Sequence, residues 1–172
     1  DNPHDDLTPT MSALIITAHV KEGVDLALKN KLNTAIIDVI EQHHGTSLVY
    51  FFYRRALDRQ EEIRKQVEEG EANEDDIPEV SEKSFRYPGP RPLFRESGII
   101  SLADAIESAS RTLQKPTPGK ITQMIDEIIY NRIRDGQLKE CDLTLRELSV
   151  IADSFNATLR SMLHSRITYP KD

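Results

Sequence analysis

The apolar residues of this chain recur at three- and four-residue intervals nearly throughout, and no alternation of apolar and polar positions lasts more than a few residues. That pattern predicts an all-α fold. A first helix is expected from Pro9, a residue suited to the first helical position, to about Asn30, with Leu14, Ile15, Ala18, Val24 and Leu28 as its inward face. A second begins at the N-cap residue Asn33 and carries Ile36, Ile37 and Ile40 to His43, with Gly45 ending it in the C′ position. A third, from Ser47 to about Glu69, opens aromatic (LVYFFYRRAL) and turns strongly charged, so its second half should project into solvent.

Residues 68–92 read as a loop, first acidic and then proline-rich, and FRYPGPRP at 85–92 holds too many prolines for a helix. A fourth helix is expected from about Phe94 to Leu113, and KPTPGK stops it. The next has the cleanest stripe in the chain, Ile121, Met124, Ile125, Ile128, Ile129 and Ile133, and closes at Asp135-Gly136. The last opens on a capping box, Thr144 to Glu147, and continues to about Ile167.

Composition narrows the function classes. A length of 172 residues fits one domain, 1–172, with the loop inside it. Acidic residues outnumber basic ones, 29 to 22, for a formal charge of −7, which argues against a bulk nucleic-acid binder and leaves a local basic pocket open. The single cysteine, Cys141, excludes an internal disulfide framework and a cysteine-built zinc site. No run approaches the roughly 18 apolar residues of a membrane span. The chain opens on Asp1-Asn2-Pro3-His4 without an initiator methionine, and it reads as a piece of something longer.

The candidate chemistry lies in the histidines, five in all, of which only His43 and His44 are neighbours. With the turn between the first two helices at about Lys31, His19 and His43 each stand twelve residues from it, or about 18 Å at ~1.5 Å per residue, so an antiparallel hairpin sets them level. Both follow apolar residues at helical spacing and should face inward, where neutral imidazoles can ligate one metal ion. Adjacent helical residues point about 100° apart. The glycine after His44 offers a way for the two rings to converge. The competing reading is a helix C-terminus capped by a partly charged imidazole. Asp104, one turn after Ile100 in a small, apolar run, is costly to bury unless it is paired or binds a cation; its alternatives are a metal and Arg111.

Several blocks in order, NPHDDLTPTMSALIITAHVKEGVDLALKNKL, IIDVIEQHHGTSLVYFFYRRA, FRYPGPRP, LADAIESASRTLQKPTPGKI and DGQLKECDLTLREL, resemble the C-terminal part of the cytoplasmic HD domain of PgpH-type seven-transmembrane HD-domain phosphodiesterases of bacteria. The resemblance covers nearly the whole chain. It implies an HD-domain-like helical bundle lacking its N-terminal helices, in the cytoplasmic domain of a bacterial membrane protein. It also implies hydrolysis of cyclic di-AMP to linear pApA with two divalent ions, manganese or iron, and a metal-held hydroxide as nucleophile. Carried residue by residue, it assigns His19, His43 and His44 to one ion and Asp104 to the other. The family's first histidine and its His-Asp pair have no match and would lie upstream of Asp1. His4-Asp5 spells the dipeptide, but it follows Asn-Pro and precedes Asp6-Leu7-Thr8-Pro9, a loop context instead of an apolar helix.

Ser47, Arg111 and Lys115 are candidates to contact phosphate, against a surface-charge role for the two cations. Tyr87 is a candidate to stack on adenine, with loop packing favoured instead. Without the upstream ligands the chain alone is expected to be inactive, and its uncovered apolar faces would favour a homodimer or poor stability. Two further functions stay open: an HD hydrolase for another nucleotide, and a non-catalytic domain that binds a nucleotide or a partner protein.

Overall fold

A computed structural model of the protein describes residues 7–114 and 116–163. The described residues form six α-helices: α1 (Pro9–Lys29), α2 (Thr34–Gln42), α3 (Tyr50–Glu68), α4 (Arg95–Ser110), α5 (Pro118–Arg134) and α6 (Leu145–Met162). Short 3-10 turns at Glu74–Asp76 and Glu82–Phe85 interrupt the long loop, and among the described residues β-pairing is limited to one bridge, Leu48 with Arg86. The all-α expectation therefore stands. The chain divides into two compact units, one holding residues 7–32 and 46–88, the other 33–45 and 89–163.

In the first unit α1 packs on α3 and on the Glu82–Phe85 turn. Its start follows from local chemistry: the Thr8 side chain accepts the Met11 N–H, and Pro9, which has no N–H to leave unpaired, occupies the first turn. Its end is a Schellman arrangement in which Lys31 N–H donates to Leu28 C=O and Leu32 N–H to Ala27 C=O, with Lys31 left-handed at φ 54°. The core joins Ala13, Phe52, Ala56 and Phe85. Phe85 is almost fully buried, against Tyr53, a burial that contributes on the order of 2–3 kcal/mol. The Val49 N–H donates to Phe85 C=O, and the Tyr87 N–H to Ser47 C=O, so the proline-rich connector is pinned beside residues 47–49.

The inward face expected for α1 is corrected. Leu14, Ile15 and Leu28 are exposed, while Pro9, Ser12, Ala13, Val20 and Ala27 are buried. α1 carries apolar residues around much of its circumference, and its small side chains are the ones that let α3 and the turn approach closely. Bulk did not decide the face; closeness of approach did.

In the second unit α4, α5 and α6 pack on one another, and α2 packs on α4. The core runs through Leu102 and Ile106 of α4, Ile121, Ile125 and Ile129 of α5, Leu148 and Leu159 of α6, and Leu138, Cys141 and Leu163 outside the helices. The α5 stripe is as predicted except at its last member, Ile133, which is exposed. α4 turns serine and glycine inward, and a β-carbon on Gly98 would stand 2.9 Å from the Cys141 sulfur, so glycine is what lets the 138–143 loop lie against this helix. Burial pushes the Cys141 thiol up in pKa, the state of an unreactive core residue. α5 ends in a second Schellman arrangement: Gly136, at φ 68°, donates to Ile133 C=O and Gln137 N–H donates to Arg132 C=O. α6 opens on the expected capping box of Thr144 and Glu147; its expected extension to Ile167 lies outside the described residues.

Candidate metal centre

The double histidine sits where α2 stops. Asn33 starts that helix by accepting the Ala35 N–H, and the last helical residue is Gln42. His43 is the C-cap at φ −62°, ψ −24°, and the Gly45 N–H donates to Gln42 C=O at 2.9 Å. Residues 42–45 thus close a turn whose two central positions are the histidines. Gly45 lies one residue beyond the C′ position expected for it, at φ 55°.

The turn answers how neighbouring imidazoles can converge. Their ring centroids are 3.9 Å apart with planes tilted by 39°. His43 Nδ1 lies 2.7 Å from the Ile40 carbonyl oxygen, which can only accept, so the ring proton belongs on Nδ1 and Nε2 keeps its lone pair. A backbone carbonyl that fixes the tautomer in this way is the usual support of a metal-ligating histidine.

Across from the turn, Asp104 of α4 places Oδ2 3.6 Å from His44 Nδ1, an ion-pair separation longer than a hydrogen bond. The Asp104 side chain is 44% exposed, which corrects the premise that burial makes it costly. Arg111, weighed as its partner, instead donates to Glu107, which raises the arginine's pKa through that hydrogen bond first and the charge attraction second. What distinguishes Asp104 is its place beside an imidazole.

His19 and Tyr87 belong to the first unit. His19 Nδ1 donates to the Ile16 carbonyl one turn back, leaving Nε2 as the lone-pair nitrogen, the same tautomer as His43. Tyr87 meets the imidazole edge-on at a centroid distance of 5.9 Å, a packing contact that orients the ring. Ser47 is buried, and its carbonyl accepts the Tyr87 N–H. Lys115 and His4-Asp5 lie outside the described residues.

Two residues near the histidine turn had no sequence signal. Gln42 is 3% exposed and accepts the Leu93 N–H at 2.9 Å, and Gln137 is 1% exposed and donates to Asp135 Oδ2 at 2.8 Å. Both were legible only as polar letters.

The described residues form an all-α scaffold that ends a helix in paired imidazoles beside a carboxylate, the class of helical domain to which the following relatives belong. No family model matches the chain. It is 41% identical over 171 residues, 99% of its length, to the cyclic-di-AMP phosphodiesterase PgpH of Bacillus subtilis (strain 168), and 42% identical over 171 residues to PgpH of Listeria monocytogenes. It spans 22% and 21% of those relatives, about a fifth of their length. The crystal structure of the L. monocytogenes PgpH HD domain in complex with cyclic di-AMP matches it with a TM-score of 0.80 at 40% identity, over 94% of this chain and 68% of that one. The chain belongs to the PgpH family of HD-domain phosphodiesterases.

Proposed function

We propose that this chain supplies part of the catalytic domain of a cyclic di-AMP phosphodiesterase, opening the cyclic dinucleotide to linear pApA. The observation that carries the proposal is the 42–45 turn, which presents two imidazoles opposite Asp104 in a chain 40% identical to a domain crystallised with that dinucleotide. Divalent ions, manganese or iron, would supply Lewis-acid stabilisation of the phosphoryl oxygens and an activated water.

The residues of this chain have separable tasks. His19, His43 and His44 offer nitrogens to one ion, an assignment that rests on the block resemblance, and the carbonyls of Ile16 and Ile40 hold two of the rings in the ligating tautomer. Asp104 offers a carboxylate to the second ion. Arg111 is the candidate cation for a substrate phosphate, and an incoming phosphate would have to draw it from Glu107. Tyr87 serves His19 as a packing support in preference to stacking on a base, and the buried Ser47 is a weaker phosphate contact than its residue type implied. Among the described residues no helix is long and apolar enough to cross a membrane. Attachment to a bacterial membrane, with this part in the cytoplasm, is the proposal the family resemblance supports.

The test is turnover of cyclic di-AMP by the protein as its gene encodes it, with manganese present and products separated by chromatography. pApA formation that falls at least about 100-fold in His43→Ala and Asp104→Ala is the expected result. Parental turnover in both variants would overturn the site. Turnover of another nucleotide in place of cyclic di-AMP would overturn the substrate and keep the chemistry.

A further inference from the structure

Gln42 and Gln137 have no place among the proposed ligands, yet both are buried, and a buried amide costs free energy unless its partners are supplied. A methionine or leucine would fill either space without that demand. The partners show what the amides do. Gln42 grips the 89–94 connector through Leu93 N–H while its own carbonyl closes the histidine turn on Gly45. Gln137 is set by the Schellman end of α5 and held by Asp135, with Oε1 2.5 Å from where a β-carbon on residue 45 would stand and Pro92 Cδ 3.3 Å from the same point. One buried amide therefore ties the first residue of 42–45 to the connector by a hydrogen bond, and a second packs closely against the last. A four-residue turn closed by its own hydrogen bond, tied at one end and tightly packed at the other, has little freedom at its two central positions, and those are His43 and His44.

We propose that Gln42 and Gln137 are positioning residues that hold the two imidazoles as a preformed pair for a divalent cation. The inference rests on the metal reading above for its ligand, but the ring placement is testable without metal. Outer partners of this kind are typically worth about 10–100-fold in metal affinity, because ligands that must be ordered on binding weaken it.

The experiment compares the parent chain with Gln42→Met, Gln137→Met and, as a control, Gln123→Ala, an exposed glutamine of α5 paired with Glu127. Two quantities are measured: Mn²⁺ affinity by titration, and the ring C–H resonances of His43 and His44 without metal. Expected are folded methionine variants with Mn²⁺ affinity reduced about 10–100-fold and shifted or broadened His43 and His44 resonances, with the control unchanged. Parental affinity and parental resonances in both methionine variants would overturn the proposal. If a methionine variant does not fold, Gln137→Asn, whose amide falls a methylene short of Asp135, carries the same readouts. A parent that binds no Mn²⁺ overturns the metal reading alone, and the ring resonances still decide whether the glutamines position the histidines.

Discussion

Gly45 carries two constraints at once. Its φ of 55° lies in the left-handed region, where a β-carbon costs roughly 1–2 kcal/mol, and that β-carbon would stand 2.5 Å from the Gln137 amide oxygen. Displacing a buried amide adds an overpacking cost of about 1–3 kcal/mol. Gly45→Ala is therefore expected to lose roughly 2–5 kcal/mol in denaturant unfolding. Gly119, in the first turn of α5 with nothing within 4 Å of its added β-carbon, makes the contrast: Gly119→Ala should be neutral or gain up to about 1 kcal/mol. Equal losses at the two positions would contradict the reading of Gly45.

At the scale of the elements, local chemistry was the most legible part of the sequence. Asn33, Thr117 before Pro118, and Thr144 with Glu147 all start helices by side-chain hydrogen bonds. The α5 stripe was legible because its one broad apolar face opposes polar residues. α1 was not, since apolar residues on most sides leave periodicity without a direction, and the smaller residues face the core. Glu147 gives a pH test of its element. Hydrogen bonds from the Thr144 N–H and hydroxyl, with a lesser contribution from Arg95, hold its carboxyl below the usual glutamate range. A lowered folded pKa means the support is complete above the ordinary value of about 4.3 and is lost as pH falls through the folded value. The stability gap between parent and Glu147→Ala should thus be widest near neutral pH and close under acid. A gap that widens on acidification would contradict the assignment.

For the molecule as a whole, fold and family were readable because long blocks keep their order along nearly the entire chain, and the 0.80 TM-score bears this out. His43, His44 and Asp104 were readable as a candidate group, and the structure brings them together within the second unit. The residues that grip their turn were not. Gln137 lies far from the histidines in sequence, and its burial follows from tertiary packing that no local pattern records. The central claim is that this turn, facing Asp104, holds a divalent cation. It is tested most directly by equilibrium Mn²⁺ binding to the parent and to the His43→Ala, His44→Ala double variant, with folding checked by thermal unfolding. Saturable binding in the parent that weakens at least about 100-fold in a folded double variant is predicted, since two of the proposed donors are removed. Equal binding in the two proteins would contradict it.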